Sequence, residues 1–151
     1  MSIYIGGTGN ANELDDYEEG TFTPQMASSS GGTANASYTY QSGKYVKVGN
    51  MVHIRFDMTW TSWTNINATI MIDNLPFTNQ GNQSTGGYGA PQFRDLSGIG
   101  ADIRIYGNSS YNVHNSNRIY VFKYNSSGTE GAASANSSGR ITGETVFYVS
   151  W

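Results

Sequence analysis

Met51-Val52-His53-Ile54-Arg55-Phe56-Asp57-Met58-Thr59-Trp60 alternates without a break. Val52, Ile54, Phe56, Met58 and Trp60 fall on one side, and His53, Arg55, Asp57 and Thr59 on the other. A period of two is that of a strand lying on a core with its other side in water. Lys44 to Val48 precede it, and the Gly49-Asn50 pair between them has the residue types that a tight hairpin turn needs for positive φ. Outward from this hairpin, strands are predicted at 21–26, 36–41, 68–73, 101–106, 118–124 and 144–151, with Asn, Ser and Gly clusters at 78–89, 107–117 and 125–139 between them. Roughly eight short strands and no amphipathic helical stretch predict an all-β fold, an antiparallel β-sandwich of jelly-roll-like type.

Composition agrees with that reading. Gly, Ser, Asn and Thr account for 66 of the 151 residues, which favours turns and wet strands over helices. Charged residues are 13% and aromatic residues also 13%, the reverse of a disordered chain's bias. A chain of this length suits one domain with its own core. The absence of Cys excludes thiolate metal centres, redox pairs and a catalytic thiol. No apolar run approaches the ~18 residues of a membrane helix and no leader pattern opens the chain, so neither membrane insertion nor secretory export is expected. The net charge is −3 and the bases are scattered along the chain, so nucleic acid is not an expected partner.

Charge divides the chain. Glu13, Asp15, Asp16, Glu18 and Glu19 stand in a head without a base, which predicts an acidic N-terminal attachment segment over 1–20 and a sandwich domain over 21–151. Two stretches, Ile119 to Phe122 and Val146 to Val149, are apolar on both faces. One sandwich covers only one face of each strand, so the second is expected to meet another subunit.

Chemistry-bearing motifs are sparse. Gly7-Thr8-Gly9 lacks the third glycine of a dinucleotide fingerprint, and the acidic run after it would repel phosphate. His53 and His114 are far apart and lack metal-ligand spacing; His53 reads as a solvated or cross-strand residue. No nucleophile elbow occurs and the carboxylates outside the head are dispersed, so no enzyme activity, no metal and no cofactor are expected. Aromatics set among Asn, Ser and Gly are the best candidates for function, because a rigid ring beside amides and hydroxyls suits the faces and edges of a sugar. Trp63, Tyr88 and Tyr111, with Asn112 and His114 in the loop of the last, are the expected ligand-binding residues. Each ring could equally rivet its loop to the domain.

Leu14-Asp15-Asp16-Tyr17-Glu18-Glu19-Gly20-Thr21-Phe22-Thr23-Pro24 resembles a signature of tail fibre and related virion proteins of tailed bacteriophages, particularly those of marine and cyanobacterial hosts, with Phe22 where Trp is more frequent. Tyr40-Gln41-Ser42-Gly43-Lys44-Tyr45-Val46-Lys47-Val48-Gly49-Asn50-Met51-Val52 is similar to a second block of these proteins, and Asn74-Leu75-Pro76-Phe77 to their Leu-Pro-Phe corner. Together the blocks cover about half of the chain, residues 11–77. The resemblance implies a homotrimeric, β-rich receptor-binding module on the virion, assembled in the host cytoplasm, in a tail or surface appendage. It would recognise a host cell-surface polysaccharide and meet other virion proteins through its N-terminal segment. A purely structural capsid, baseplate or tail component, and a glycan depolymerase, are the alternatives.

Overall fold

The computed structural model describes residues 3–4, 13–14, 16–28, 36–64, 70–79, 91–99, 111–112, 116–124, 130–132 and 135–150. They form antiparallel strands, with no helix among the described residues. A five-stranded sheet has the order β3 (Tyr17–Phe22), β5 (Ala36–Val48), β6 (Met51–Trp63), β13 (Ala135–Tyr148), β8 (Gln92–Ile99). A four-stranded sheet has the order β4 (Gln25–Ser28), β7 (Ile70–Asp73), β10 (Ile119–Tyr120), β9 (Tyr111–Asn112). Two short pairs stand beside them among the described residues, β1 (Ile3–Tyr4) with β2 (Glu13–Leu14), and β11 (Phe122–Tyr124) with β12 (Glu130–Ala132).

The two larger sheets share one core, so the expected sandwich is present. Val52, Ile54, Phe56, Met58 and Trp60 of β6 and Ile141 and Phe147 of β13 pack with Met26, Ile70, Ile72 and Ile119 of the four-stranded sheet. The deciding hairpin is as expected. Val48 pairs with Met51 across the turn, and Gly49 takes φ 58°. The expected strands at 36–41 and 44–48 are one continuous strand, β5.

Elsewhere the strands depart from the sequence reading for local reasons. The expected strand 21–26 is two strands in different sheets, because Pro24 has no N–H to continue a ladder and the chain changes layer at Thr23-Pro24. The expected strand 118–124 divides at Val121 into β10 and β11, which also belong to different sheets. β8 and the first half of β13 were not expected as strands. In β8 the inward side chains are Phe93, Leu96 and Ile99, spaced by three, because the register with β13 slips between Thr142 and Gly143 and again between Ala135 and Arg140; such slips erase a period of two. The expected strand at 101–106 lies outside the described residues.

The boundary expected between residues 20 and 21 falls inside β3. Tyr17 to Phe22 pair residue by residue with Val48 to Gly43 of β5, so residues 17–20 belong to the sheet. Their carboxylates are engaged there too: Asp16 with Lys47, Glu18 with the Tyr45 hydroxyl (2.6 Å) and Glu19 with the Tyr17 hydroxyl (2.7 Å). The acidic cluster that read as a detached head is in part the trimming of an edge strand, which charged side chains commonly protect.

The blocks that carry the phage resemblance meet at one corner. The Phe22 ring lies over Gly43 and the Tyr45 ring over Gly20. Tyr45 also meets Phe77 edge to face at 5.1 Å. Gln41 donates to the Pro24 carbonyl (2.7 Å), and Asn74, held at φ 63°, donates from its amide side chain to the Thr23 carbonyl (2.8 Å). Tyr38 accepts from the Met26 N–H at 2.6 Å, which ties the two sheets together.

Candidate functional site

The aromatic-loop site is not assembled among the described residues. Trp63 is in β6, paired with Ala36, and is only 3% exposed. The register between β5 and β6 slips near Tyr38, so Ser37 faces Ser62 while Tyr38 faces Trp60. Thr61 is the extra residue; the parity inverts there, and Trp63 turns inward as Trp60 does. Its role is therefore that of a core residue, although its indole N–H has no partner among the described residues. Tyr111 and Asn112 lie on β9, at the edge of the four-stranded sheet, rather than in a loop. Tyr88 and His114 fall outside the described residues.

A different surface gathers polar chemistry: the outer face of the five-stranded sheet. Its residues stand in rows across the strands. One end is largely apolar: Tyr17, Val48, Met51 and Tyr148 form the first row, and in the second Val46 and Val146 alternate with Glu19 and His53; the six apolar or aromatic residues are all exposed. The apolar second faces read from the sequence are here in part: Val146 and Tyr148 are 42% and 44% exposed, while Phe147 and Val149 are in the core. Ile119 and Val121 are buried and Tyr120 is half-buried.

Beyond those rows the face becomes ionic. Lys44 stands directly opposite Arg55, and Arg55 opposite Glu144. Glu144 lies 3.5 Å from His53 and 3.9 Å from Arg55, so His53 has the cross-strand partner its position suggested. In the next row Ser42, Asp57, Thr142 and Asp95 are in register. Arg140 donates to both oxygens of Asp57, at 3.0 and 2.7 Å, and lies 3.8 Å from Asp95; the Thr142 hydroxyl adds a third bond to Asp57 at 3.0 Å. The Arg140 guanidinium hydrogen bond holds the Asp57 carboxyl below its ordinary range, against the opposing effect of partial burial. Asp57 is thus a fixed anion.

The rows enclose three adjoining hollows. One of about 450 Å³ lies between β5, β6, β13 and β8, and takes in Lys44, Arg55, Arg94 and Arg140. One of about 580 Å³ lies over β3, β5 and β6, and one of about 280 Å³ over β6, β13 and β8. Arg55 borders all three, with 74% of its side chain exposed. An extended ligand could therefore cross the strands over this residue. The slip in β8 makes Arg94 the extra residue, and so sets Arg94 and Asp95 side by side at the rim of the first hollow.

Part of this face was within reach of sequence reasoning. A two-residue turn at Gly49-Asn50 fixes the register, and that register places Lys44 beside Arg55 on the polar side. Arg94 and Arg140 were not within reach, because their strands meet the hairpin only through long-range pairing and a bulge. Among the described residues no three His, Asp or Glu side chains converge as metal ligands would.

The molecule is thus a β-sandwich with a hollowed, mixed-charge face on its larger sheet. Comparison of the chain with models of protein families, with curated proteins and with solved structures gives no match.

Proposed function

We propose that this chain is a virion protein of the tailed-phage fibre type that recognises a host-surface glycan, and that it does so on the outer face of its five-stranded sheet. The observation that carries the reading is the row of hollows over Arg55, where guanidinium, carboxylate and hydroxyl groups are held by the sheet at fixed spacing. Such a mixture offers donors and acceptors to successive sugar hydroxyls without a deep pocket. The resemblance of residues 11–77 supplies the biological setting. The reading is non-enzymatic; Asp57, whose carboxyl Arg140 holds below its ordinary range, is unsuited to be the proton donor that a glycosidase needs.

Assembly is part of the proposal. A homotrimer would use the apolar end of the same face, Tyr17, Val48, Met51 and Tyr148, and leave the ionic rows open. The N-terminal segment ahead of β3 would then dock to other virion proteins.

A glycan array of bacterial surface polysaccharides, read for both bound protein and released reducing ends, tests the reading. Retained protein without reducing-end release is expected. Release would favour a depolymerase, and an array without any binding would favour a structural component.

A further inference from the structure

We infer that the saccharide taken by the hollow over Arg55 is anionic, bearing carboxylate or sulfate groups. This rests on the glycan reading and names its ligand class.

The chain is acidic overall, yet four of its eight basic residues, Lys44, Arg55, Arg94 and Arg140, border one hollow. They are not equivalent. Arg140 is spoken for by Asp57 and Asp95. Lys44 and Arg94 have no ion pair among the described residues, and Arg55 has only the long 3.9 Å approach to Glu144, which His53 shares.

Lys44 and Arg55 also stand directly opposite each other in the ladder. Like charges in that relation destabilise a strand pair. A neutral residue at either of these exposed strand positions would avoid the cost, so the juxtaposition is a local conflict of the kind that marks functional positions. The bulge brings a third cation, Arg94, to the same hollow from the far side of β13. An anion between Lys44, Arg55 and Arg94 would relieve the conflict, and the fork of each guanidinium matches a planar carboxylate or a sulfate.

Asp57 and Asp95 at the same hollow argue against a continuous polyphosphate. A sugar chain carries its charges apart, with hydroxyls between them that such carboxylates can accept from. Arg140 acts as a positioning residue, since it holds Asp57 toward the hollow through paired bonds.

Three polysaccharides separate the possibilities: polygalacturonate for carboxylate, dextran sulfate for sulfate and dextran for the uncharged case, with an oligodeoxythymidylate as the polyphosphate. The parent protein is expected to bind at least one of the two charged polysaccharides and to bind dextran at least tenfold more weakly. Lys44→Gln with Arg94→Gln, at two positions that break no ion pair among the described residues, is expected to weaken the charged ligand at least tenfold without lowering the unfolding midpoint, since it removes a like-charge pair. Equal binding of the parent and this variant to the charged polysaccharide would overturn the inference while leaving glycan recognition in place, as would a preference for dextran. Tighter binding of the oligodeoxythymidylate than of any polysaccharide would overturn it in favour of nucleic acid. Failure to bind any of these together with an empty glycan array would remove the functional reading itself, and the inference with it.

Discussion

In the five-stranded sheet, β6 supplies alternate residues to an inner and an outer face that are held in different ways. On the inner face Val52, Ile54, Phe56, Met58 and Trp60 are all apolar and buried. On the outer face Met51, His53, Arg55, Asp57 and Thr59 all differ, and each answers to a neighbour on β5 or β13. The inner face is therefore held chiefly by burial, which scales with the apolar area removed from water. The outer face is held by pairs, which depend on register. Substitutions on the two should differ accordingly: large losses of stability inside, and changes of binding or assembly outside.

The sharpest test of that contrast is Trp63, which sequence alone placed in a binding loop and the fold places in the core. Trp63→Ala is expected to destabilise by ~3–5 kcal/mol, as is Phe56→Ala, because each removes a large buried ring and leaves a cavity. Urea denaturation measures both. A silent Trp63→Ala variant would mean that the ring is not in the core and would restore the loop-aromatic site.

A second inward test uses space instead of burial. A Cβ on Gly139 would meet the Ser97 carbonyl at 2.3 Å and Trp60 Cζ2 at 2.5 Å. Both neighbours are fixed, one being backbone and the other a buried ring that donates to the Asn136 carbonyl at 3.0 Å. Gly139→Ala should therefore cost ~1–3 kcal/mol of overpacking in the same denaturation experiment. If it costs nothing, β8 and β13 are further apart than this register requires.

These residues also show what was legible beforehand. The alternation of β6 announced the fold class, because a half-buried strand needs nothing beyond its own sequence to declare its period. Trp63 was misread because the slip near Tyr38 is a property of two strands together, and its effect on parity is invisible in either alone. Phe93 and Leu96 were passed over for the same reason. The ionic face was half legible, through the hairpin register that sets Lys44 beside Arg55. Its other half needed the tertiary pairing of β13 with both neighbours. The Ala135-Asn136-Ser137-Ser138-Gly139 run looked like a loop because small residues suit loops, and it serves as a strand because Gly139 lets two neighbours close on it.

On the outer face the expected effect on stability is smaller and depends on pH. The Asp57 carboxyl is held below its ordinary range chiefly by Arg140. A group whose pKa is depressed by folding stabilises the protein fully above its unfolded pKa, ~3.9 for Asp, and loses that contribution as pH falls through the folded value. The parent should therefore exceed Asp57→Asn in thermal midpoint at neutral pH, with the gap closing as pH falls below about 4. A gap that is constant with pH would assign the effect to packing and not to the ion pair. The pair is partly solvated, so the difference should remain well under that of Trp63→Ala.

The smallest effect on the fold, and the largest on assembly, is expected at the apolar end of the outer face. Val146, Tyr148 and Met51 are each about half exposed in one chain, so replacing them with Thr removes little buried surface and keeps a residue type suited to strands. The folded subunit should change by no more than ~0.5 kcal/mol. If this face joins subunits, however, the parent's unfolding midpoint must rise with protein concentration, because dissociation is then linked to unfolding. Light scattering should give a trimer mass for the parent and a monomer mass for the triple variant, with a midpoint independent of concentration for the latter. A parent that is monomeric at micromolar concentration would leave the apolar rows as free surface. The contrast between the faces would then reduce to burial alone, and the hollow over Arg55 would have to bind its ligand from a single chain.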